Sequence, residues 1–317
     1  VKKIAALFLD ATDRADWREA LSEVADIVCL TVDGDLASAL RALRDSTADT
    51  DFGVVMLSAR LYPEAYPELA VRLRAICPEA EFLVISREAG APPLRSLLAD
   101  RIRHLTISAK HDLAGGEQLP AVIAMLAQRR PWDAASCLKT GTPVHSFELG
   151  SSEDKEGVIG ALERVLAGQG DEIELLRQKA SLLADELMEN AMYGAPRASH
   201  GVPMFRKGEK RQMLPHEVIV FSFGFDGETL ALNLTDNWGS LEPDQVLECL
   251  TRNADGYQDA DECGGRGLFI VWRFLDQFHV SVQPGRRTAV GGQLHLASKL
   301  DPATPRGFHI IEEEIAA

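Results

Sequence analysis

The sequence predicts an α/β protein of two domains, and three observations carry that expectation. Short, continuous apolar runs alternate with amphipathic helical patterns five times before residue 130. A stretch bearing Pro131, Gly141 and Pro143 then breaks the pattern. Beyond it, a long helical pattern precedes two strand patterns joined at Asp226-Gly227, a dipeptide suited to a tight hairpin.

In the first half, strands are expected at residues 4–9, 27–32, 53–57, 82–85 and 104–107, with helices at 16–24, 36–44, 66–76, 93–100 and 119–128. Apolar runs without alternation imply strands buried on both faces, hence a parallel sheet covered by helices. Ligands and modifications on such a sheet belong at the carboxyl ends of its strands. Pro131 cannot continue the last helix. Residues 1–132 therefore read as one domain, 133–143 as a linker, 144–300 as a second domain and 301–317 as a C-terminal tail.

In the second half, a strand is expected at 144–149 and a helix at 153–166, closed by Gly168-Gln169-Gly170. A long helix follows, with Asp171 as its expected N-cap and Ile173, Leu176, Ala180, Leu183 and Leu187 on one stripe. Gly194-Ala195-Pro196 should end it. The polar, basic stretch through Arg206-Lys207-Gly208-Glu209-Lys210-Arg211 reads as a solvated loop or hairpin. Strands at 218–225 and 229–236 come next, then an acidic segment, then Gly264-Gly265-Arg266-Gly267-Leu268 opening another helix.

Composition narrows the function classes. Across 317 residues there are 33 Lys and Arg against 48 Asp and Glu, a formal net charge of −15. That balance works against nucleic acid and against anionic membrane surfaces as general partners. No apolar run approaches the roughly 18 residues that span a bilayer. Asp10 interrupts the opening apolar stretch where a signal peptide would continue, so the expected location is the cytoplasm. The five Cys form no CxxC pair, and the eight His pair with no suitably spaced Cys, so no metal-ligand pattern is present.

Three short stretches bear on chemistry. Glu186 and Asn190 stand four apart and so share one helix face. A carboxylate can orient a hydroxyl or water as general base, and an amide oxygen is a hard ligand acceptable to Mg²⁺. By themselves such pairs commonly form only a solvated face. Asp236 ends a strand in Leu-Thr-Asp-Asn-Trp-Gly-Ser-Leu, where an Asp is commonly a turn-former. Glycines at a helix start let the backbone approach a phosphate, with the helix dipole favouring the anion.

The order of these three stretches resembles the GHKL ATPase superfamily, with its Bergerat ATP-binding fold, an α/β sandwich on a mixed, largely antiparallel sheet. Bacterial anti-sigma-factor serine kinases look nearest, over residues 144–298. The resemblance implies that Glu186 is the catalytic base and Asn190 the Mg²⁺ ligand. Asp236 would accept from the adenine amino group and Gly239 would shape the adenine pocket. Gly265, Arg266, Gly267 and Leu268 would border the phosphates. ATP and Mg²⁺ are the implied cofactors. Two departures stand out: Trp238 intrudes in the family's Asp-x-Gly-x-Gly box, and residues 242–263, where a lid would cover ATP, are acidic. Histidine kinases share this nucleotide domain but need a phosphoacceptor His on a helical hairpin upstream, for which there is no room here.

The first domain resembles a response-regulator receiver, a flavodoxin-like (βα)5 fold. Asp10 follows the first strand, Ser86 the fourth, and Lys110 lies past the fifth, as in that family. Ser58, followed by Arg60, stands where the phosphorylated Asp belongs, so the resemblance implies a pseudo-receiver without a phosphoacceptor. Together the two resemblances imply a receiver-like domain regulating an ATP-binding domain that phosphorylates or sequesters a protein partner, a regulator or an anti-anti-sigma-like factor. If it is an enzyme, it is a protein serine/threonine kinase of the anti-sigma-factor type. A homodimer stays open, as does the alternative of a non-catalytic scaffold of two degenerate domains.

Overall fold

The structure, a computed structural model, describes residues 3–22, 24–47, 51–62, 66, 68–87, 94–107, 118–198, 201–254, 266–297 and 306–313. The chain divides into two compact units, Val1–Arg130 and Pro131–Ala317.

In the first unit, strands β1 (Lys3–Phe8), β2 (Ile27–Thr31), β3 (Phe52–Ser58), β4 (Glu81–Ser86) and β5 (His104–Ile107) form a parallel sheet in the order β2-β1-β3-β4-β5. β3 is buried along its whole length, as the unbroken apolar run Phe-Gly-Val-Val-Met-Leu requires. Helices α1 (Ala11–Asp16), α2 (Leu36–Thr47), α3 (Leu69–Ile76), α4 (Leu94–Ala99) and α5 (Gln118–Ala127) connect and follow the strands. The first helix is not at 16–24. The Asp10 side chain accepts from the Asp13 amide and caps a helix that ends at Trp17, whose ring is buried while residues 17–22 turn. An N-cap that satisfies an otherwise orphaned N–H outweighed the apolar spacing further on.

In the second unit, β6 (His145–Glu148), β7 (Ile219–Phe225), β8 (Thr229–Asp236), β9 (Gln277–Gln283), β10 (Arg287–His295) and β11 (Gly307–Glu312) make a mixed sheet in the order β11-β9-β10-β8-β7-β6. Its pairs are antiparallel except β11 with β9. β11 falls in the stretch expected as a C-terminal tail. It is instead a buried strand, because Phe308 and Ile310 lie in the core beside Phe278 and Val280 of β9.

Helices α6 (Asp154–Val165), α7 (Asp171–Glu189), α8 (Pro243–Ala254) and α9 (Arg266–Phe274) complete this unit, with α7 packed on α6, α9, β8 and β10. Leu176, Ala180, Leu183, Ala184 and Leu187 form the buried stripe of α7. Asp171 is its first helical residue rather than its cap, and with Glu172 and Glu174 it places three acids where the helix dipole favours them. Residues 133–143, expected as a linker, contain a short 3-10 helix, Ala134–Cys137, that packs on β7, β8 and β10. Beside it the Trp132 ring stacks on His279 of β9 at 4.7 Å.

Candidate functional site

α7 does not stop at Glu189 but runs into a π-helical turn, Asn190–Gly194, closed by the Ala195 amide donating to the Asn190 carbonyl at 2.9 Å. Single π turns of this kind recur at functional sites. Around the turn, Met188, Ala191 and Met192 are buried in the core. Glu186, one turn back, is mostly buried, and its Oε2 lies 3.5 Å from the Lys207 ammonium. Lys207 also pairs with Glu189 at 2.8 Å, and Lys155 bridges Glu189 at 2.9 Å and Asp185 at 2.5 Å. Three carboxylates at the end of α7 thus share two ammonium groups.

The start of α9 meets this helix end directly. A Cβ added to Gly267 would stand 2.8 Å from Glu186 Oε2 and 2.9 Å from both Asn190 Oδ1 and Nδ2. A side chain at Gly267 would have to displace the polar ends of Glu186 and Asn190 from the α9 backbone. Asn190 Nδ2 is buried and has no hydrogen-bond partner among the described residues. Arg266 opens α9 and Leu268 is half-buried behind Gly267, while Gly264 and Gly265 lie outside the described residues. Glu186, Asn190 and Gly267, far apart in sequence, therefore form one cluster.

Asp236 closes β8 and is buried. Its Oδ1 accepts from the Trp238 amide at 2.9 Å. Burial pushes its carboxyl up to about 6, and the nearby Glu217 charge adds to the rise, against the downward pull of the Trp238 and Gly239 amides. Gly239 has φ +57°, and a Cβ there would lie 2.3 Å from the Gln283 carbonyl oxygen and 2.4 Å from the Arg286 nitrogen. The stretch after β8 is thereby pinned against the β9–β10 turn, where the Gly285 amide donates to the Gly239 carbonyl at 2.9 Å.

One buried ion pair links Trp238 to the π turn. Arg211 and Glu217 are paired out of water, and Arg211 also donates to the Met192 carbonyl at 2.5 Å. Glu217 accepts from Trp238 Nε1 at 3.2 Å, and the Arg211 guanidinium stacks 3.8 Å from the Phe205 ring centroid. The stretch read as a solvated loop is in part a strut between the two halves of the site. Sequence reasoning missed Lys207, Arg211 and Glu217. The one available signal was the dense basic run beside a carboxylate-rich helix end.

In the first unit, the strand ends gather Asp10, Ser58 and Arg60. Arg60 lies 3.7 Å from Asp10 and 4.0 Å from Asp13. Asp13, also missed in the sequence, is buried and accepts from the Leu9 amide at 2.8 Å and the Ser58 hydroxyl at 3.0 Å. Ser86 is buried at the end of β4, and Lys110 lies outside the described residues. No protein-family model matches this chain, and no curated protein matches it either.

Proposed function

We propose that the second unit is a GHKL-type nucleotide-binding domain of Bergerat fold, and that the first is a flavodoxin-like pseudo-receiver that regulates it. The observation that carries this reading is the cluster at Gly267: a side-chain-free helix start lying on a Glu and an Asn from another helix. A cradle that a Cβ would fill and a buried donor without a partner suit phosphate oxygens. Asn190 Oδ1 beside that donor is a hard oxygen suited to Mg²⁺. When bound, Mg-ATP would supply the phosphoryl group and the charge that neutralises it.

The chain's own residues then have distinct tasks. Asp236 accepts a hydrogen bond from the adenine amino group, and Gly239 keeps the base pocket open. The Gly267 backbone approaches the phosphates at the positive end of α9. Glu186 orients the attacking hydroxyl of a protein partner and takes its proton. In the first unit, Arg60 sets a fixed cation beside Asp10 and Asp13, and Ser58 cannot form an acyl phosphate.

Calorimetric titration with Mg-ATP tests the reading. Wild-type protein should bind, and Asn190→Ala should lose the Mg²⁺-dependent part of the affinity. Glu186→Gln should bind nearly as wild type while losing turnover by about 10²–10⁴-fold, the usual range for general-base assistance. The Lys207 ammonium on Glu186 favours a second reading, in which the base is permanently engaged and the chain is a non-catalytic scaffold. Silence in calorimetry at millimolar Mg-ATP would select that second reading.

A further inference from the structure

A separate concavity of about 220 Å³ lies at the strand-start end of the first unit, away from Ser58, and is lined by Arg74, Arg101, Arg103 and Arg129 with Glu79 and Glu81. In a chain of net charge −15, four guanidiniums around one hollow call for a physical cause. Ligand sites of parallel sheets ordinarily sit at the other end.

The bland cause is the helix dipole. Three helices end here, each carrying about half a negative charge, and basic side chains offset it. Arg74, in the last turn of α3, does so at no backbone cost. Arg101 and Arg129 are different. They stand just past α4 and α5 with φ +51° and +47°. Each closes its helix from the left-handed conformation: Arg101 N to Leu98 O and Ile102 N to Leu97 O, and likewise Arg129 N to Leu126 O and Arg130 N to Met125 O. Glycine is the usual occupant of that position, and a side chain there costs about 1–2 kcal/mol. Among the described residues the other non-glycine positions with positive φ are Asp26 and Asp33, a residue type that tolerates it. Both arginines held at this cost line the same hollow, and dipole compensation does not require them to be there.

The donors suit an oxyanion. The Arg101 guanidinium makes no hydrogen bond or ion pair with any described residue. Arg74 lies 4.9 Å from the Phe82 ring centroid and gives one bond, at 3.1 Å, to the Arg101 carbonyl. Arg129 faces Glu81 at 3.6 Å and the Glu79 carbonyl at 3.4 Å. Planar guanidinium forks match phosphate oxygens two at a time. At 220 Å³ the hollow falls below the roughly 300–1,000 Å³ of drug-sized sites, so the ligand is compact.

We propose that this hollow binds a phosphate dianion, gripped by Arg101 and Arg129 in the field of Arg74 and Arg103. The site is independent of the nucleotide reading. Its phosphate could arrive as the free ion or on a phosphorylated side chain.

Full-length protein should be titrated at constant ionic strength with inorganic phosphate, and separately with a phosphoserine peptide and its unphosphorylated form. Wild type should bind phosphate saturably. Arg101→Gly with Arg129→Gly should weaken binding about ten-fold or more, equivalent to 1.4 kcal/mol. Without ligand, the same double variant should melt no lower than wild type, since glycine removes the backbone cost. Peptide binding that needs the phosphoryl group would identify a protein-borne ligand, and binding of the ion alone a free one. The proposal fails if neither probe binds at millimolar concentration, or if the double variant keeps wild-type affinity. It also fails if the variant melts lower and its phosphate-induced stabilisation is unchanged, because the arginines would then serve the helix ends alone.

Discussion

At the end of β8, burial drives the Asp236 carboxyl from its ordinary 3.8 up to about 6, so the folded chain holds that proton more tightly than the unfolded chain. Between those two values the native state binds more protons, and stability falls as pH rises through the window. Above it the full penalty is present, about 3 kcal/mol for a shift of that size. Asp236→Asn keeps an acceptor for the Trp238 amide and removes the charge. The variant should therefore be more stable than wild type at pH 7.5, by up to about 3 kcal/mol in urea unfolding, with the gain shrinking toward zero near pH 4. An equal loss at both pH values would refute the assigned cause. A buried group retained against stability fits a site more readily than a scaffold. Asp236, Glu186 and Asn190 were legible in the sequence because their helix spacing and strand end are local. Asp13, Arg211 and Glu217 were not, since each is held by a partner from another part of the chain: Ser58, the Met192 carbonyl and Trp238 respectively.

Among the elements, α9 and the stretch after β8 each depend on one glycine, for different reasons. At Gly267 an added Cβ meets side-chain ends of Glu186 and Asn190, which can rotate away. At Gly239 it meets backbone of the β9–β10 turn, with φ +57° adding strain. Gly267→Ala should therefore leave the melting temperature nearly unchanged while cutting Mg-ATP affinity about ten-fold, a 1.4 kcal/mol effect. Gly239→Ala should unfold the chain at distinctly lower denaturant, losing more than about 2 kcal/mol through overpacking and backbone strain. Equal destabilisation by both would mean that Gly267 is a packing requirement only. Elements of strong local pattern were legible in the same way: β8 is found at Thr229–Asp236, as its flanking Asp226-Gly227 turn suggested. β11 and the 3-10 helix Ala134–Cys137 were not, because a six-residue strand and a four-residue turn gain their meaning only from β9 and from the sheet they cover. The π turn was equally hidden. Gly194-Ala195-Pro196 signals a helix end, but not that Asn190–Gly194 closes with a wider ring.

For the whole molecule, the four tryptophans divide unevenly, Trp17 in Val1–Arg130 and Trp132, Trp238 and Trp272 in Pro131–Ala317. Among the described residues no helix is long and apolar enough to cross a membrane. A ligand that binds one native unit stabilises that unit by mass action, about 2.7 kcal/mol at a hundred times its dissociation constant. In Trp17→Phe protein the emission comes from the second unit alone. Saturating Mg-ATP should raise the midpoint of that emission by several degrees, given a shift of about 2–4 °C per kcal/mol for a domain of this size. The shift should vanish in the same protein carrying Asn190→Ala. If the first unit regulates the second through its arginine-lined hollow, inorganic phosphate must change the affinity for ATP, and ATP the affinity for phosphate, by one common factor, because coupling between sites is reciprocal. Phosphate should then move the Mg-ATP titration of wild type, and Arg101→Gly with Arg129→Gly should abolish that effect. Should the two affinities prove independent while both ligands bind, the units act separately and regulation must enter by another surface. Should Mg-ATP stabilise the chain yet leave the emission of Trp132, Trp238 and Trp272 unmoved, the nucleotide is bound by the first unit and the assignment of Glu186, Asn190 and Asp236 is wrong.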